Sequence, residues 1–292
     1  MLSEAIDGLN IRPDGTYVDV TFGGGGHSRA ILTSLGSDGR LFAFDQDEDA
    51  RANAIDDPRF ALIGENFRHM KAFLRLHGVR QVDGILADLG VSSHQFDTAE
   101  RGFSTRLDGE LDMRMDRQAP LSARELVNSA DEEGLSRMLK QYGELPNARQ
   151  MARAIVRARS EREIVTTGDL REAVQRHLPR GMENKYLAML FQALRIEVNG
   201  ELEALKALLQ QAAEVLVPGG RLVVISYHSL EDRLVKNFLR AGNFEGVVEK
   251  DFYGNPLAPM RQLLKCSASE AEVVENGRAR SARLRVGERV PS

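Results

Sequence analysis

Four consecutive glycines, Gly23, Gly24, Gly25 and Gly26, stand between a β-like run and a segment with helical patterning. Glycine adopts positive φ without strain and lets a ligand approach the backbone closely. A glycine loop that ends a strand and opens a helix also presents free N–H groups to that ligand. The flanking pattern supplies the frame. Residues 17–22 read as a strand, and a helix starts at about Ser28. Residues 41–45, 60–63 and 84–88 are further short apolar runs separated by amphipathic stretches. Short apolar runs between helical patterns predict a parallel sheet covered on both faces. A tight turn that binds nothing is the plain alternative for the glycines.

The next convincing strand is 221–226, after the Pro218-Gly219-Gly220 turn. An ordinary βαβ unit needs about 30 residues, and the interval from Asp88 is several times longer, so a segment is inserted. Its patterning is helical. Ser122-x-x-Glu125 and Ser129-x-x-Glu132 resemble capping boxes. Met151, Ile155 and Ala158 recur at helical spacing, as do Leu202, Leu205, Leu208 and Leu209. The expected fold is α/β: a Rossmann-like, mostly parallel doubly wound sheet with an inserted helical subdomain. The expected division is a discontinuous α/β domain over 1–104 and 205–292, with the helical insert over 105–204.

Asp45 closes the second strand about 20 residues beyond the glycine loop, where an acid accepts hydrogen bonds from ribose hydroxyls. A solvated strand-end acid is the alternative, since Asp47, Glu48 and Asp49 crowd the same stretch. The dinucleotide fingerprint G-x-G-x-x-G would run Gly23-x-Gly25-x-x-Ser28 and lacks its third glycine. Asp19, inside the preceding strand, suits a methionine ammonium group and sits poorly beside a pyrophosphate. The pattern therefore favours S-adenosylmethionine over a dinucleotide.

Ligands of open α/β sheets lie outside the carboxyl ends of the strands. Two loops reach that position: residues 88–95 after the fourth strand and 226–233 after the fifth. Ser229 and Asp232 have the spacing of a helix N-cap pair, which is their expected job. His228 stands just before that cap, at the mouth of the sheet. The only cysteine, Cys266, excludes an internal disulfide and a multi-cysteine zinc site, and no metal is expected. Low cysteine usage fits a reducing, cytoplasmic setting. No window is apolar enough to span a membrane, and the first residues lack the pattern of a secretory signal.

At these residues the chain resembles the MraW family, ribosomal RNA small subunit methyltransferase H. The matching stretches are 19–28, 84–95, Glu100-Arg101-Gly102-Phe103-Ser104, Leu111-Asp112-Met113-Arg114-Met115, 195–202, 225–233 and 279–286. They extend over nearly the whole chain. The resemblance implies a class I methyltransferase that modifies the N4 amino group of a cytidine near the decoding centre of 16S rRNA. It implies cofactor contacts at Gly25, Gly26, His27, Asp45, Phe67, Asp88 and Gln95. The implied partner is 16S rRNA or the small ribosomal subunit, with a homodimer as the candidate assembly. Two departures stand out: Glu110 and Gly277 each occupy a position where the family usually has proline.

Methyl transfer to nitrogen is an in-line displacement in which positioning supplies much of the catalysis. The cytosine N4 lone pair is delocalised into the ring, so the site should hold the amino protons and then accept one. Asp88 is the first candidate for that role, with the adjacent backbone carbonyl as the alternative, and Ser92, Ser93 and His228 are candidates to hold the base. Methylation at pyrimidine C5 normally uses a cysteine nucleophile, and Cys266 lies in the tail away from both crevice loops.

The net charge of -4 argues against a protein that coats nucleic acid, but a local basic patch suffices for an RNA enzyme. Arg149, Arg153 and Arg157 share one helical face opposite Met151 and Ile155, and Arg159 and Arg162 extend it. Arg278, Arg280, Arg283 and Arg285 form a second cluster. Together they are expected to track phosphates while the target base is splayed into a pocket. A solvated helix face is the bland reading of the first cluster. The rival functions are a methyltransferase acting on a protein or small molecule, an inactive RNA-binding scaffold that keeps a cofactor fold, and, more distantly, a nicotinamide dehydrogenase.

Overall fold

The computed structural model describes residues 1–291. The chain forms two compact units, Met1–Gly90 together with the chain from Leu202 onward, and Val91–Glu201. In chain order the first unit opens with α1 (Leu2–Leu9), β1 (Thr16–Asp19), α2 (Gly26–Ser34), β2 (Arg40–Phe44), β3 (Phe60–Ile63), α3 (Met70–Leu76) and β4 (Val82–Asp88). The second unit holds α4 (Ser93–Asp97), α5 (Ala123–Ser129), α6 (Glu132–Gly143), α7 (Ala148–Glu161), α8 (Thr167–Val174) and α9 (Glu183–Asn199). The chain then returns through α10 (Glu201–Val215), β5 (Leu216–Ser226), α11 (Ser229–Ala241), β6 (Met260–Ser267) and β7 (Arg283–Arg289).

The sheet has seven strands in the order β3-β2-β1-β4-β5-β7-β6. All neighbours from β3 to β5 pair in parallel, and β7 runs antiparallel to both β5 and β6. This is a Rossmann-like, mostly parallel arrangement. The chain steps outward from β1 to β3 and then restarts at β4 on the other side of β1. That reversal opens a crevice at the carboxyl ends of β1 and β4. The strands are apolar on both faces because helices cover both. Val18, Phe42, Ile85 and Val224 pack with Leu205, Leu208 and Leu209 of α10. Their strand neighbours Tyr17, Leu41, Leu86 and Val223 pack on the other side with Leu9 of α1 and Ile31 of α2.

The fifth strand starts earlier than its sequence pattern predicts. Its register against β4 jumps from Val82↔Leu216 to Gly84↔Arg221, so Pro218-Gly219-Gly220 bulges out of a strand that has already begun. Gly219 takes φ 81°, which permits the bulge.

The second unit has its own core, in which Met113, Leu139, Met151, Ile155 and Leu190 are buried. Val91, Phe96 and Phe103 pack into that core, and so the unit begins at Val91 and not at 105. Ser122 and Glu125 form the expected capping box on α5. Ser129 does not cap a helix. It ends α5 with its hydroxyl on the carbonyl of Glu125 at 2.6 Å, a back-bond typical of serine near a helix end. Asp131 caps α6 instead, accepting from the Gly134 N–H at 2.6 Å.

Several stretches that carry the family resemblance hold this unit together. Arg101 is buried, and its Nη2 donates to the carbonyls of Arg114 and Met115 at 3.0 and 3.3 Å. Arg114 in turn grips Asp112 at 2.6 Å. The Asn199 amide donates to the Met113 carbonyl at 2.8 Å and accepts from the Met115 N–H at 2.7 Å. Glu110 bridges to Thr166, but the bonds come from the N–H groups of Leu111 and Thr167. Neither bond uses the N–H of Glu110, so a proline there would remove neither of them.

Candidate cofactor and acceptor site

The glycine loop curls between β1 and α2 with Gly23 at φ 51° and Gly25 at φ 75°. A Cβ placed on Gly25 would strike Phe22 and Arg29, whereas a Cβ on Gly24 or Gly26 meets nothing within 4 Å. One side of the loop is therefore packed and the other is open to a ligand. At the start of α2 no side chain caps the first N–H groups.

Asp45 closes this cradle. Its Oδ2 accepts from the Gly23 N–H at 2.7 Å and its Oδ1 from the Asp47 N–H at 2.9 Å. Burial pushes its carboxyl up to about 6, against the two backbone N–H groups that pull it down. An ionised carboxylate offers about four acceptor positions. Two are engaged by these backbone groups, and the others suit a pair of ribose hydroxyls. Phe67 opens a short turn after β3 and is partly buried against the core. The side chain of Asn66 donates to Gln46 at 2.7 Å, tying that turn to the segment that follows Asp45.

Asp19 does not stand ready for an ammonium group as its position in the strand suggests. It is fully buried and turned into the loop. The Ser28 hydroxyl donates to it at 2.7 Å and the Thr21 N–H at 3.1 Å. Burial raises its carboxyl, with these hydrogen bonds and His27 opposing.

Asp88 ends β4 on the same side of the sheet. Its N–H donates to Thr21 Oγ1 at 2.7 Å, so β4 is clasped by the glycine loop. Tyr227, just beyond β5, donates its hydroxyl to Asp88 Oδ1 at 2.8 Å. His27 Nδ1 lies 3.7 Å from Asp88 Oδ2. His27 Nε2 is buried with no hydrogen-bond partner among the described residues, an orphaned polar atom at the edge of the cradle. Burial raises the Asp88 carboxyl, while His27 and the Tyr227 hydroxyl pull it back. The Tyr227 phenol is raised by burial and by the adjacent Asp88. Sequence reasoning found Asp88 and His27 but missed Thr21 and Tyr227. The sequence signal for Tyr227 is its place just beyond the carboxyl end of β5, one residue before His228.

The other expected residues fall elsewhere. His228 occupies the N-cap position of α11 without a side-chain cap bond, and its Nε2 lies 3.2 Å from Glu231 Oε1. Ser92 and Gln95 belong to the second unit. There they form a reciprocal capping box on α4, with Gln95 N–H to Ser92 Oγ at 3.2 Å and Ser92 N–H to Gln95 Oε1 at 3.0 Å.

Ser229 and Asp232 are not a cap pair: Ser229 is already inside α11, and Asp232 binds Arg285 at 2.7 and 3.0 Å and Arg283 at 3.1 Å. Arg285 is buried in that pair and cannot reach a phosphate. Arg278, Arg280 and Arg283 remain exposed. On α7, Arg149, Arg153 and Arg157 are exposed and Met151 and Ile155 buried, as the spacing predicts. Arg153 is 3.4 Å from Glu132 and Arg157 is 3.6 Å from Glu161. Arg159 turns inward to the Val127 carbonyl at 2.6 Å and leaves the outer face.

Comparison with known proteins is specific. Residues 1–290 match the model of the MraW methylase family. A ribosomal RNA small subunit methyltransferase H from Flavobacterium johnsoniae is 57% identical over 291 residues, covering 99% of this chain and 96% of its own. The protein of that name from Flavobacterium psychrophilum is 58% identical over 290 residues, covering 99% of this chain and all 100% of its own. Among solved structures, an rRNA methylase from Streptococcus thermophilus aligns over 99% of this chain and 95% of its own, with a TM-score of 0.46 and 10% identity.

Proposed function

The chain belongs to the MraW methylase family, and from that membership we propose that it methylates the N4 amino group of a cytidine in 16S rRNA, near the decoding centre. The methyl donor is S-adenosylmethionine. The observation that carries the reading is the Asp88 carboxyl, anchored through its backbone on Thr21 and through Oδ1 on Tyr227, at the crevice beside the open side of the glycine loop. The residues present fit the donor: the glycine cradle has room, Asp45 has acceptor capacity for a ribose, and His27 carries an unused polar atom.

When bound, S-adenosylmethionine supplies an electrophilic methyl group. The remaining work falls to this chain. Asp45 holds the ribose hydroxyls, the backbone at Gly25, Gly26 and His27 lines the cradle, and Phe67 packs on the adenine. Asp88 Oδ2 accepts an N–H of the acceptor amino group, which turns the nitrogen lone pair out of conjugation with the ring. As positive charge develops on nitrogen, the carboxylate stabilises it and takes the released proton.

Cytosine C5 is a poor alternative target. Cys266 sits on β6, in register with Leu284 of β7 and through it with Ile225 of β5. It is three strand spacings from β4, roughly 14 Å, and burial raises its thiol away from the reactive thiolate.

The insert is assigned to RNA recognition, because the exposed arginines of α7 present a spaced row of bidentate phosphate donors. No described helix is long and apolar enough to cross a membrane, and the reading places the reaction in the cytoplasm with the ribosomal subunit. Incubation with methyl-labelled S-adenosylmethionine and either 16S rRNA or small subunits tests it: label enters RNA. Label entering only protein or a small molecule contradicts it.

A further inference from the structure

We propose that Tyr227 is a positioning residue for methyl transfer: its hydroxyl fixes Asp88 Oδ1 so that Oδ2 alone is presented to the acceptor amino group. The inference rests on the methyl-transfer reading and adds to it a residue with no other assigned role.

The geometry is local to the first unit. Tyr227 O–H to Asp88 Oδ1 is 2.8 Å, which is a good hydrogen bond between a neutral donor and a carboxylate. Asp88 has no comparable bond on Oδ2, where the nearest charged group is the His27 ring at 3.7 Å. A carboxyl group on a strand end can rotate about its Cβ–Cγ bond, and that torsion has a broad profile. A single strong bond on one oxygen removes the freedom and leaves the other oxygen with a defined direction.

The ring is itself held. The Tyr227 N–H donates to Glu231 Oε2 at 2.9 Å, which anchors the residue to the first turn of α11. Gly90, two residues beyond Asp88, takes φ 97°, and a Cβ there would lie 3.5 Å from the tyrosine ring. The positive φ lets the chain turn away immediately after Asp88 while the ring occupies the space beside it. The two strand ends are also joined by the Leu89 N–H to Ile225 carbonyl bond at 2.9 Å. Donor and acceptor are thus mounted on neighbouring parallel strands whose relative position is fixed, which is how a catalytic group is held to within a fraction of an ångström.

In the transfer step, the N4 lone pair forms the bond to the methyl carbon and the methyl–sulfur bond breaks with its electron pair left on sulfur. The extra proton on nitrogen then passes to Asp88 Oδ2. Tyr227 keeps its own proton throughout. The groups that face Asp88 are His27 from α2, Asp19 from β1, the amino group of Met1, and Tyr227. Of these, Tyr227 alone donates a hydrogen bond to the carboxylate oxygens in the structure. Glu231 faces Tyr227 from α11.

The test is Tyr227→Phe in the full chain, read by single-turnover methylation of RNA across pH, by S-adenosylmethionine affinity, and by KM for RNA. Loss of the hydroxyl removes a bond that favours the ionised carboxylate. The expected result is a maximal rate lowered about tenfold or more, an acid limb of the pH–rate profile moved to higher pH, and affinities for cofactor and RNA within about twofold of wild type. Asp88→Asn and the double variant complete a cycle, and their effects should be less than additive.

An unchanged rate and profile overturn the inference, as does a rise in KM for RNA with the profile unchanged, which assigns the ring to the base. If the Phe variant fails to fold, 3-fluorotyrosine at 227 keeps the ring and strengthens the donor. It should move the acid limb to lower pH, and an unmoved limb overturns the inference. Wild-type enzyme run in parallel separates the two layers: absence of methyl transfer by wild type contradicts the function itself, whereas normal wild-type turnover with an indifferent Tyr227→Phe contradicts only this inference.

Discussion

Asp232 of α11 and Arg285 of β7 form a buried ion pair, with the carboxylate accepting from Nε at 2.7 Å and Nη2 at 3.0 Å. The pair fastens a helix to β7, which runs antiparallel to its neighbours in the sheet. Burial opposes the carboxylate, but the bonds and charge of Arg285, joined by Arg283, hold its carboxyl below the usual range. Removing one member leaves the other charge buried and unpaired. Asp232→Ala should therefore cost about 3–5 kcal/mol of stability in urea unfolding. Because the folded-state carboxyl is depressed, its contribution is present above the ordinary carboxylate pKa and is lost as pH falls below it. A variant that unfolds like wild type at neutral pH contradicts this assignment.

Asp45 behaves in the opposite sense. Its folded carboxyl lies at about 6, above the ordinary 3.8. Its share of stability is full below the lower value and is lost as pH rises through about 6. Cofactor binding needs the ionised form to accept from ribose hydroxyls, so affinity should fall as pH drops through 6 and binding there should release a proton. Calorimetry in two buffers of different ionisation enthalpy reads that proton directly. Asp45→Ala should lose about 1.5–3 kcal/mol of cofactor affinity and the proton release with it. Unchanged affinity in a folded variant contradicts the ribose role.

The proposed RNA surface is the exposed arginine face of α7. Reversing Arg149 and Arg153 to Glu should weaken RNA binding and flatten its salt dependence while leaving cofactor affinity alone. Arg149 has no acidic partner among the described residues, whereas Arg153 is already offset by Glu132 at 3.4 Å. The Arg149 change should accordingly be the larger of the two. An unchanged salt slope moves the RNA surface elsewhere.

Asp88→Asn keeps the shape of the side chain and some of its hydrogen bonding but removes the charge. Single-turnover rates at saturating cofactor and RNA should fall about 10²-fold or more, the scale of one preorganised electrostatic group. Recovery to the wild-type rate at saturation makes Asp88 a binding residue and not a catalytic one.

Local pattern made the frame legible, and long-range pairing was hidden. The glycine loop, Asp45 and Asp88 each sit at a strand end, where alternation of apolar runs places them without any tertiary knowledge. Arg285 reads as a phosphate ligand in sequence because nothing local marks its partner Asp232, 53 positions away. Asp232 reads as a cap for the same reason. Tyr227 and Thr21 carry no local signal because their partner Asp88 lies 139 and 67 positions away. Ser129 failed as a cap because the helix before it runs one residue too far, a boundary that local pattern fixes only loosely. The start of the second unit is not legible locally, because Phe96 and Phe103 are as apolar as sheet residues and sequence does not say which core receives them.

The central claim is that methyl goes to the exocyclic nitrogen of a cytidine in 16S rRNA. Nucleoside mass spectrometry reads this most directly, using 16S rRNA or small subunits from cells lacking the enzyme, made with ¹⁵N in the cytosine amino group and treated with the enzyme and S-adenosylmethionine. The account predicts one new methylated cytidine whose methyl travels with the labelled amino nitrogen when the ring is fragmented, and its near absence with Asp88→Asn. A methyl retained on the ring carbons after loss of that nitrogen, or no methylated cytidine with active cofactor-bound enzyme, contradicts it.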